Sequence, residues 1–393
     1  MKFLFLLAVI TVCCPQSYAG SAIDALNQID ASALLVVDGN GKTLYSKHAE
    51  QMLVPASTIK VLTALMALEH WGRNHRFATE FYFNRKTNIL SVKGLGDPFL
   101  VSEEIDIIVE KIKELGIQSL EGIQVDISYF SEGINSDHQV ISGNPYDALA
   151  SALSANFNTI AVNVSGNSVT SGEIQTPITH MAKSLAKGLP NGKHRINLGK
   201  AQRGPRYFVE VLTEKLRLAG VQVNHTQAIE SEALELALLF THYNSRTLDQ
   251  VVTAMLEYSN NFIANQLFLM LGAEKFTAPA TLDKSREMLK AFVAKQFNWQ
   301  QYEIHDGAGL SRKNQLSARQ LAEIAKQFAT YRDLMPIQKR QILAKSGTLS
   351  GVSCYVGYVF RGDTWLTFAL MINQPVEYRF RERLAEELLT LEF

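Results

Sequence analysis

Ser57-Thr58-Ile59-Lys60 sets a hydroxyl and an amine three residues apart. If a helix opens at Pro55, the two side chains share one face, a turn apart. A lysine that is neutral often enough can take the serine proton, which makes Ser57 a nucleophile for acyl transfer without histidine. The start of a helix also favours negative charge developing on Ser57. The spacing alone is cheap, because Ser184 to Lys187 repeats it just before Gly188-Leu189-Pro190. There the lysine reads as a partner for the last carbonyls of a helix. A single pair of this kind is more often solvated or capping than catalytic, so context decides.

Two more motifs give that context. Ser-x-Asn occurs at Ser142, Ser154 and Ser165, but Ser259-Asn260-Asn261 sits among helical neighbours, between Glu257-Tyr258 and Phe262-Ile263-Ala264. Lys345-Ser346-Gly347-Thr348 holds the one Lys-Ser/Thr-Gly triplet of the chain, and it leads into an apolar strand. A glycine there lets a substrate backbone approach the strand edge.

The elements that must position these residues can be read from hydrophobic periodicity. Ile23 to Leu26 begins a helix. Ala33 to Val37 is a buried strand, Asp38-Gly39-Asn40-Gly41 a turn, and Lys42 to Tyr45 the returning strand of a hairpin. From Pro55 an apolar stripe of Ile59, Leu62, Leu65 and Met66 runs to Gly72. Between Arg73 and Thr241 the texture is short strands, glycine-containing turns and polar breaks. Helical patterns follow at Thr247 to Leu271 (stopped by Gly272), Leu282 to Phe297 and Ser317 to Tyr331. Strands at Ser353 to Phe360 and Trp365 to Ile372 then precede a C-terminal helix. The expectation is one α/β domain, residues 20–72 and 242–393, split by an inserted accessory module over 73–241.

Composition narrows the setting. The 393 residues carry 38 basic and 38 acidic side chains, 47% apolar and 19% charged. Those figures exclude disordered, collagen-like and coiled-coil classes. Zero net charge and the lack of a basic run give nucleic acid no footprint. Met1-Lys2, the apolar run Phe3 to Cys14, and small Ser17 and Ala19 before Gly20 read as a signal peptide over residues 1–19. Val before Cys13 argues against a lipoprotein. Cys13 and Cys14 leave with the leader, so Cys354 has no intramolecular disulfide partner and reads as strand filler. Nine histidines show no metal-binding spacing, so neither metal nor cofactor is expected. No later stretch is long and apolar enough for a membrane span, and Arg379 to Phe393 fits a helix packed on a sheet.

The three motifs in this order are those of penicillin-recognising serine acyl-transferases. About 200 residues separate Ser57 from Ser259 and about 85 separate Ser259 from Lys345, more room than the compact class A β-lactamases leave. The sequence resembles the class C low-molecular-mass penicillin-binding proteins, the D-alanyl-D-alanine carboxypeptidase/endopeptidase family. Supporting stretches are Pro55 to Lys60, Gly94-Leu95-Gly96-Asp97-Pro98, Val125 to Phe130, Ser151 to Asn158, Asp306 to Arg312 and Lys345 to Gly351. Ser346 stands where the family usually has Thr, Ala308 where it has Ser, and Asn265 near its usual Glu. The insert is also short for the family.

The resemblance implies a transpeptidase/β-lactamase-like α+β domain, an antiparallel sheet flanked by helices. It implies that Ser57 attacks a terminal D-Ala-D-Ala carbonyl with Lys60 as general base. Ser259 would relay a proton to the leaving amine, and Asn261 would orient the peptide. Lys345, Ser346, Gly347 and Thr348 would receive the terminal carboxylate, with the oxyanion at the N–H groups of Ser57 and Thr348. Asp126 and Arg312 would meet the stem peptide's side-chain end, against plain readings as a turn aspartate and a surface ion pair. Two ammonium groups about 6 Å apart repel by roughly 3 kcal/mol at a dielectric near 20, about 2 pKa units. Lys345 could thus lower Lys60, and burial would lower it further. The implied partners are peptidoglycan stem peptides in the periplasm, beyond the inner membrane, and β-lactams as covalent inhibitors. A β-lactamase and a non-catalytic peptidoglycan-binding protein on the same fold are the alternatives. Oligomeric state is not legible.

Overall fold

Runs of β-branched and aromatic residues from both ends of the chain meet in one six-stranded antiparallel sheet. In a computed structural model describing residues 21–132, 134, 143–225, 229–230 and 237–392, its spatial order is Ile337–Lys339, Ile342–Leu349, Val352–Arg361, Thr364–Ile372, Ser32–Val37 and Thr43–Lys47. The expected leader lies outside the described residues. The N-terminal hairpin is present as expected and docks on the C-terminal one, with Ser32 opposite Ile372 and Val36 opposite Phe368.

Alternation along these strands divides two cores. Ala33, Leu35, Val356, Ala369 and Met371 face a helical layer that includes Lys60–Trp71, Asn261–Phe276 and Ala318–Phe328. Leu34, Val36, Tyr355, Phe368 and Leu370 face the terminal helices Ala22–Asn27 and Phe380–Glu387. The C-terminal segment therefore packs on the sheet, as its leucine spacing predicts. Among the described residues no helix is long and apolar enough to cross a membrane.

A third core gathers most of the segment between these parts. Its five-stranded sheet runs Ile229–Glu230, Gly122–Asp126, Ile89–Gly94, Ala78–Asn84 and Leu238–Tyr243. The last strand pairs Tyr243 with Ala78, so the sheet continues past residue 241. A three-stranded sheet, Ser168–Ser171, Thr159–Ser165 and Gly192–Asn197, stands beside it. The reading of this segment as strands and turns misses the helices Ser102–Glu114 and Arg203–Leu218, while His180–Ala186 is the helix whose end Ser184 to Lys187 marks. Ser102–Glu114 buries Ile105, Ile108, Val109 and Ile112 at helical spacing inside a strongly charged stretch.

The single helix expected over Thr247 to Leu271 is two, Leu248–Glu257 and Asn261–Phe276. Between them Ser259 takes φ 52°, and the Asn260 side chain caps the second helix at the Ile263 N–H. Gly272 stays inside that helix. A Cβ there would lie 2.6 Å from the Ser285 nitrogen, so the glycine serves close helix packing, not termination.

A buried polar joint ties the middle segment to the rest. The Asn244 amide donates to both Asp97 oxygens, at 3.1 and 2.9 Å, and Phe99 N–H donates to the same carboxylate. Beside it, His242 and Glu104 approach to 3.0 Å. Burial pushes the Asp97 carboxyl up to about 6, against these hydrogen bonds. A folded pKa above the unfolded one means the fold binds the extra proton, so this group lowers stability as pH rises from about 4 to 6. Asn244→Ala should cost about 2–3 kcal/mol above pH 6, where the carboxylate is charged. The deficit should shrink as pH falls through 6. Urea titrations at pH 5 and 8 check this, and equal deficits at both would defeat the account.

Candidate active site

Pro55-Ala56-Ser57-Thr58 does not enter an α-helix directly. Ala56–Ile59 forms a 3-10 turn that passes into Lys60–Trp71. Ala56 is held at φ 49°, a left-handed conformation that costs a residue bearing a Cβ. Thr58 Oγ1 clamps the turn by donating to the Pro55 carbonyl at 2.6 Å.

Lys60 is fully buried at the first helical position. Its Nζ lies 2.9 Å from Ser57 Oγ, 2.6 Å from Asn261 Oδ1 and 2.6 Å from the Ala308 carbonyl. Burial holds its pKa well below the usual lysine range, Lys345 adds to this, and Asp306 opposes it. A neutral amine has two N–H bonds and one lone pair. The Asn261 and Ala308 oxygens can only accept, so they claim both N–H bonds. The lone pair is left facing the Ser57 hydroxyl, the orientation a general base needs.

The loop after Ile304 sets that third partner. The buried Asp306 carboxylate accepts backbone N–H groups from Ala308, Gly309, Leu310 and Ser311. Gly309, at φ 82°, lies so close that an added Cβ would stand 2.0 Å from the Ala56 carbonyl. Thr63 Oγ1 donates to Gly307 O at 2.7 Å, fixing the loop to the Lys60 helix.

Lys345-Ser346-Gly347-Thr348 lies within the strand Ile342–Leu349, not before it. The short strand Ile337–Lys339 pairs it only at Ile342 and Leu343. From Lys345 onward this edge carries no partner strand among the described residues. Gly347 closes on the nucleophile turn, since an added Cβ would lie 2.7 Å from Pro55 O and 3.0 Å from Ser57 N. Lys345 is buried and donates to the Ser346 carbonyl at 2.9 Å. Burial first and Arg381 second bring its pKa down to about 8, with Glu257 opposing. The cation beside Lys345 is therefore an arginine as well as the expected lysine.

The remaining expected residues are less tightly joined. Ser259 is half-buried in the bend between its helices, and its hydroxyl makes no hydrogen bond among the described residues. A cavity of about 650 Å³ opens there, lined by Ser259, Asn261, Tyr146, Phe157 and Arg246. Asn261 Nδ2, the group expected to orient substrate, donates to the Tyr146 carbonyl at 3.0 Å. Asp126 ends its strand and accepts the Ser128 N–H at 2.9 Å, as a turn aspartate does. Arg312 is exposed and donates to the Ser350 carbonyl at 2.5 Å, a backbone contact and not the ion pair weighed for it. Cys354 is buried with its thiol on the Val54 carbonyl, and burial pushes it up to about 12, in keeping with a filler role. Ser184 lies in the helix His180–Ala186 and Lys187 at its end, as its flanking residues predict.

Ala308 and Tyr146 escape a reading of side-chain types because they act through carbonyls. Asp306 has a visible signal in the dense glycines around it. Arg381, which donates to Thr348 Oγ1 at 2.7 Å, has none.

The antiparallel sheet between two helical layers, with an accessory module set into the chain, is the fold of the penicillin-recognising serine hydrolases. The chain belongs to the D-Ala-D-Ala carboxypeptidase 3 (S13) family, whose pattern matches residues 22–187 and 184–340. It is thus a hydrolase of the serine-peptidase type. It is 24% identical to a D-alanyl-D-alanine carboxypeptidase of Actinomadura sp. (strain R39), over 87% of this chain and 77% of that one. The crystal structure of penicillin binding protein 4 from Haemophilus influenzae superposes with TM-score 0.78 at 20% identity, covering 94% of this chain and 99% of that one. A structure of the same Haemophilus protein complexed with a β-lactam gives TM-score 0.71 at 19% identity, with the same coverage.

Gly309→Ala should force the Ala308 carbonyl and the Ala56 turn apart, at a cost of about 3 kcal/mol or more. Arg312→Ala, which loses one exposed bond, should stay within about 1 kcal/mol. Urea unfolding of both variants measures the contrast.

Proposed function

We propose that this protein is an exported D-Ala-D-Ala carboxypeptidase/endopeptidase that trims or cleaves peptidoglycan stem peptides through an acyl-enzyme on Ser57. The observation that carries the reading is the 2.9 Å approach of Lys60 Nζ to Ser57 Oγ while two acceptors hold the rest of the amine. Ser57 Oγ bonds to the carbonyl carbon of the penultimate D-Ala, and its proton passes to Lys60 Nζ. The carbonyl π pair moves onto oxygen, facing the N–H groups of Ser57 and Thr348. The contact between Gly347 and the Ser57 backbone supports that pairing. On collapse the C–N bond breaks, and the leaving amine takes the proton from Lys60 through Ser259. Water then hydrolyses the ester.

In this reading Asn261 orients the scissile peptide, and Lys345, Ser346 and Thr348 receive the terminal carboxylate along the open edge. Asp126 and Arg312 serve the side-chain end of the stem peptide. Residues 20–72 and 242–393 form the catalytic domain and 73–241 the accessory module, with the module's last strand running on to Tyr243. Residues 1–19 direct export to the periplasm. The β-lactam complex of the Haemophilus relative supports β-lactams as covalent inhibitors of this chain too.

Mass spectrometry after brief exposure to benzylpenicillin tests the assignment. The expected result is a persistent single adduct that Ser57→Ala abolishes and Ser184→Ala leaves intact. Rapid turnover would point instead to a β-lactamase, and no adduct to a binding protein. The pH profile is a second check. Because the Lys60 pKa is depressed, its neutral form grows as pH rises through that lowered value, and acylation should climb with it. Above about 8 Lys345 loses its charge, so carboxylate binding weakens and the rate should fall. Lys345→Ala should move the rising limb upward only in part, since burial is the first cause of the depression. Second-order rates with a chromogenic β-lactam from pH 6 to 10 report both limbs, whose values belong to the coupled pair.

A further inference from the structure

The far end of the Lys345 strand carries more positive charge than the three motifs account for. Arg381, near the start of the helix Phe380–Glu387, reaches over the sheet. Its Nη1 donates to Thr348 Oγ1 at 2.7 Å and to the Gly347 carbonyl at 3.3 Å. Its Nε donates to Glu382 at 3.0 Å, and its guanidinium carbon stands 5.8 Å from the centre of the Tyr355 ring. These contacts fix the plane of the fork. Nη2 has no hydrogen-bond partner among the described residues, so one N–H edge is left unfilled.

Thr348 completes the geometry. Its hydroxyl already accepts from Arg381, so its own proton is free to be donated, and the residue is exposed. Lys345, three residues back along the same edge, bonds only to the Ser346 carbonyl among the described residues. None of the described carboxylates bonds to its ammonium. Two cations and one aligned hydroxyl thus line the strand that touches the Ser57 turn. Glu382 already pairs with Arg381 through Nε, so what stays unfilled is the Nη2 edge, the Lys345 ammonium and the Thr348 proton, donors that suit an anion with two oxygens.

We infer that Arg381 is a carboxylate-binding residue of the leaving-group subsite, gripping the carboxylate next to the scissile amide together with Lys345 and Thr348. The inference rests on the proposed function and deepens it. It makes the recognised chemistry an α-carboxylate on the departing amine, held by a planar fork at one oxygen pair and by lysine and threonine from the strand.

The test uses two peptides ending in D-Ala-D-Ala, one with a free terminal carboxylate and one with a terminal amide. They are assayed with the parent, Arg381→Gln and Arg381→Lys. For the carboxylate peptide Arg381→Gln should raise KM by about 10- to 100-fold, the loss of one charge-assisted hydrogen bond. For the amide peptide kcat/KM should change by less than about 2-fold, because that ligand offers the fork no anion. Arg381→Lys keeps the charge without the fork, so it should recover part of the loss, again for the carboxylate peptide alone. If Arg381→Gln does not fold, as thermal unfolding reports, the same contrast between peptides in Arg381→Lys decides. Equal losses on both peptides would mean that Arg381 merely supports Thr348, and no loss on either would remove it from the subsite. Both results overturn the inference while leaving the proposed function standing. A parent that cleaves neither peptide and takes no β-lactam adduct would remove the two together.

Discussion

A lysine amine sealed from water is the constraint on which the site depends. Lys60 is 0% exposed, and an ammonium in that position gives up hydration that three hydrogen bonds recover only in part. The same burial that penalises the charge prepares the neutral form. Each partner of the amine comes from a different part of the chain. Ser57 belongs to the preceding turn, Asn261 to a helix that begins about 200 residues later, and Ala308 to a loop further on. The fold is therefore specified where catalysis is, because misplacing any of these three segments leaves a buried polar group without a partner.

Around that amine the backbone is packed to contact. Gly309 touches the Ala56 carbonyl and Gly347 touches the Ser57 nitrogen, both closer than a side chain allows. Asp306 commits its carboxylate to four N–H groups of its own loop, which keeps it from acting as a base while it anchors the Ala308 carbonyl. This leaves Asp306 ill placed to activate a water as the glutamate of class A β-lactamases does. The positive φ at Ala56 and at Ser259 adds local strain at two motif residues, and the packing around them holds that strain in place.

Much of this arrangement is legible in the amino-acid order. Short apolar runs near both termini mark the strands of the central sheet, and three short motifs mark Ser57, Lys60, Asn261 and Lys345 as neighbours. What stays hidden has physical causes. Ser102–Glu114 carries so many charges that its apolar stripe is narrow, and the segment around it reads as broken. The bend at Ser259 interrupts an apolar pattern that looks continuous, because both helices bury residues on either side of it. Carbonyl partners such as Ala308 O have no residue-type signature at all. Arg381 is one basic residue among several near the C-terminus, and only the register of its helix against the sheet brings it to Thr348.

The Tyr146 carbonyl, by accepting from Asn261 Nδ2, makes the middle segment a structural stakeholder in the site. The turn Pro145–Asp147 is held from its own side by Asn197, which donates to the Asn144 carbonyl at 2.8 Å. That chain of contacts sets a lower bound on how far the module can be pared down. The Asn144 to Asn197 brace belongs to what any reduced module would keep, since it supports the carbonyl that holds the Asn261 amide and, through it, the acceptor that aims the Lys60 lone pair.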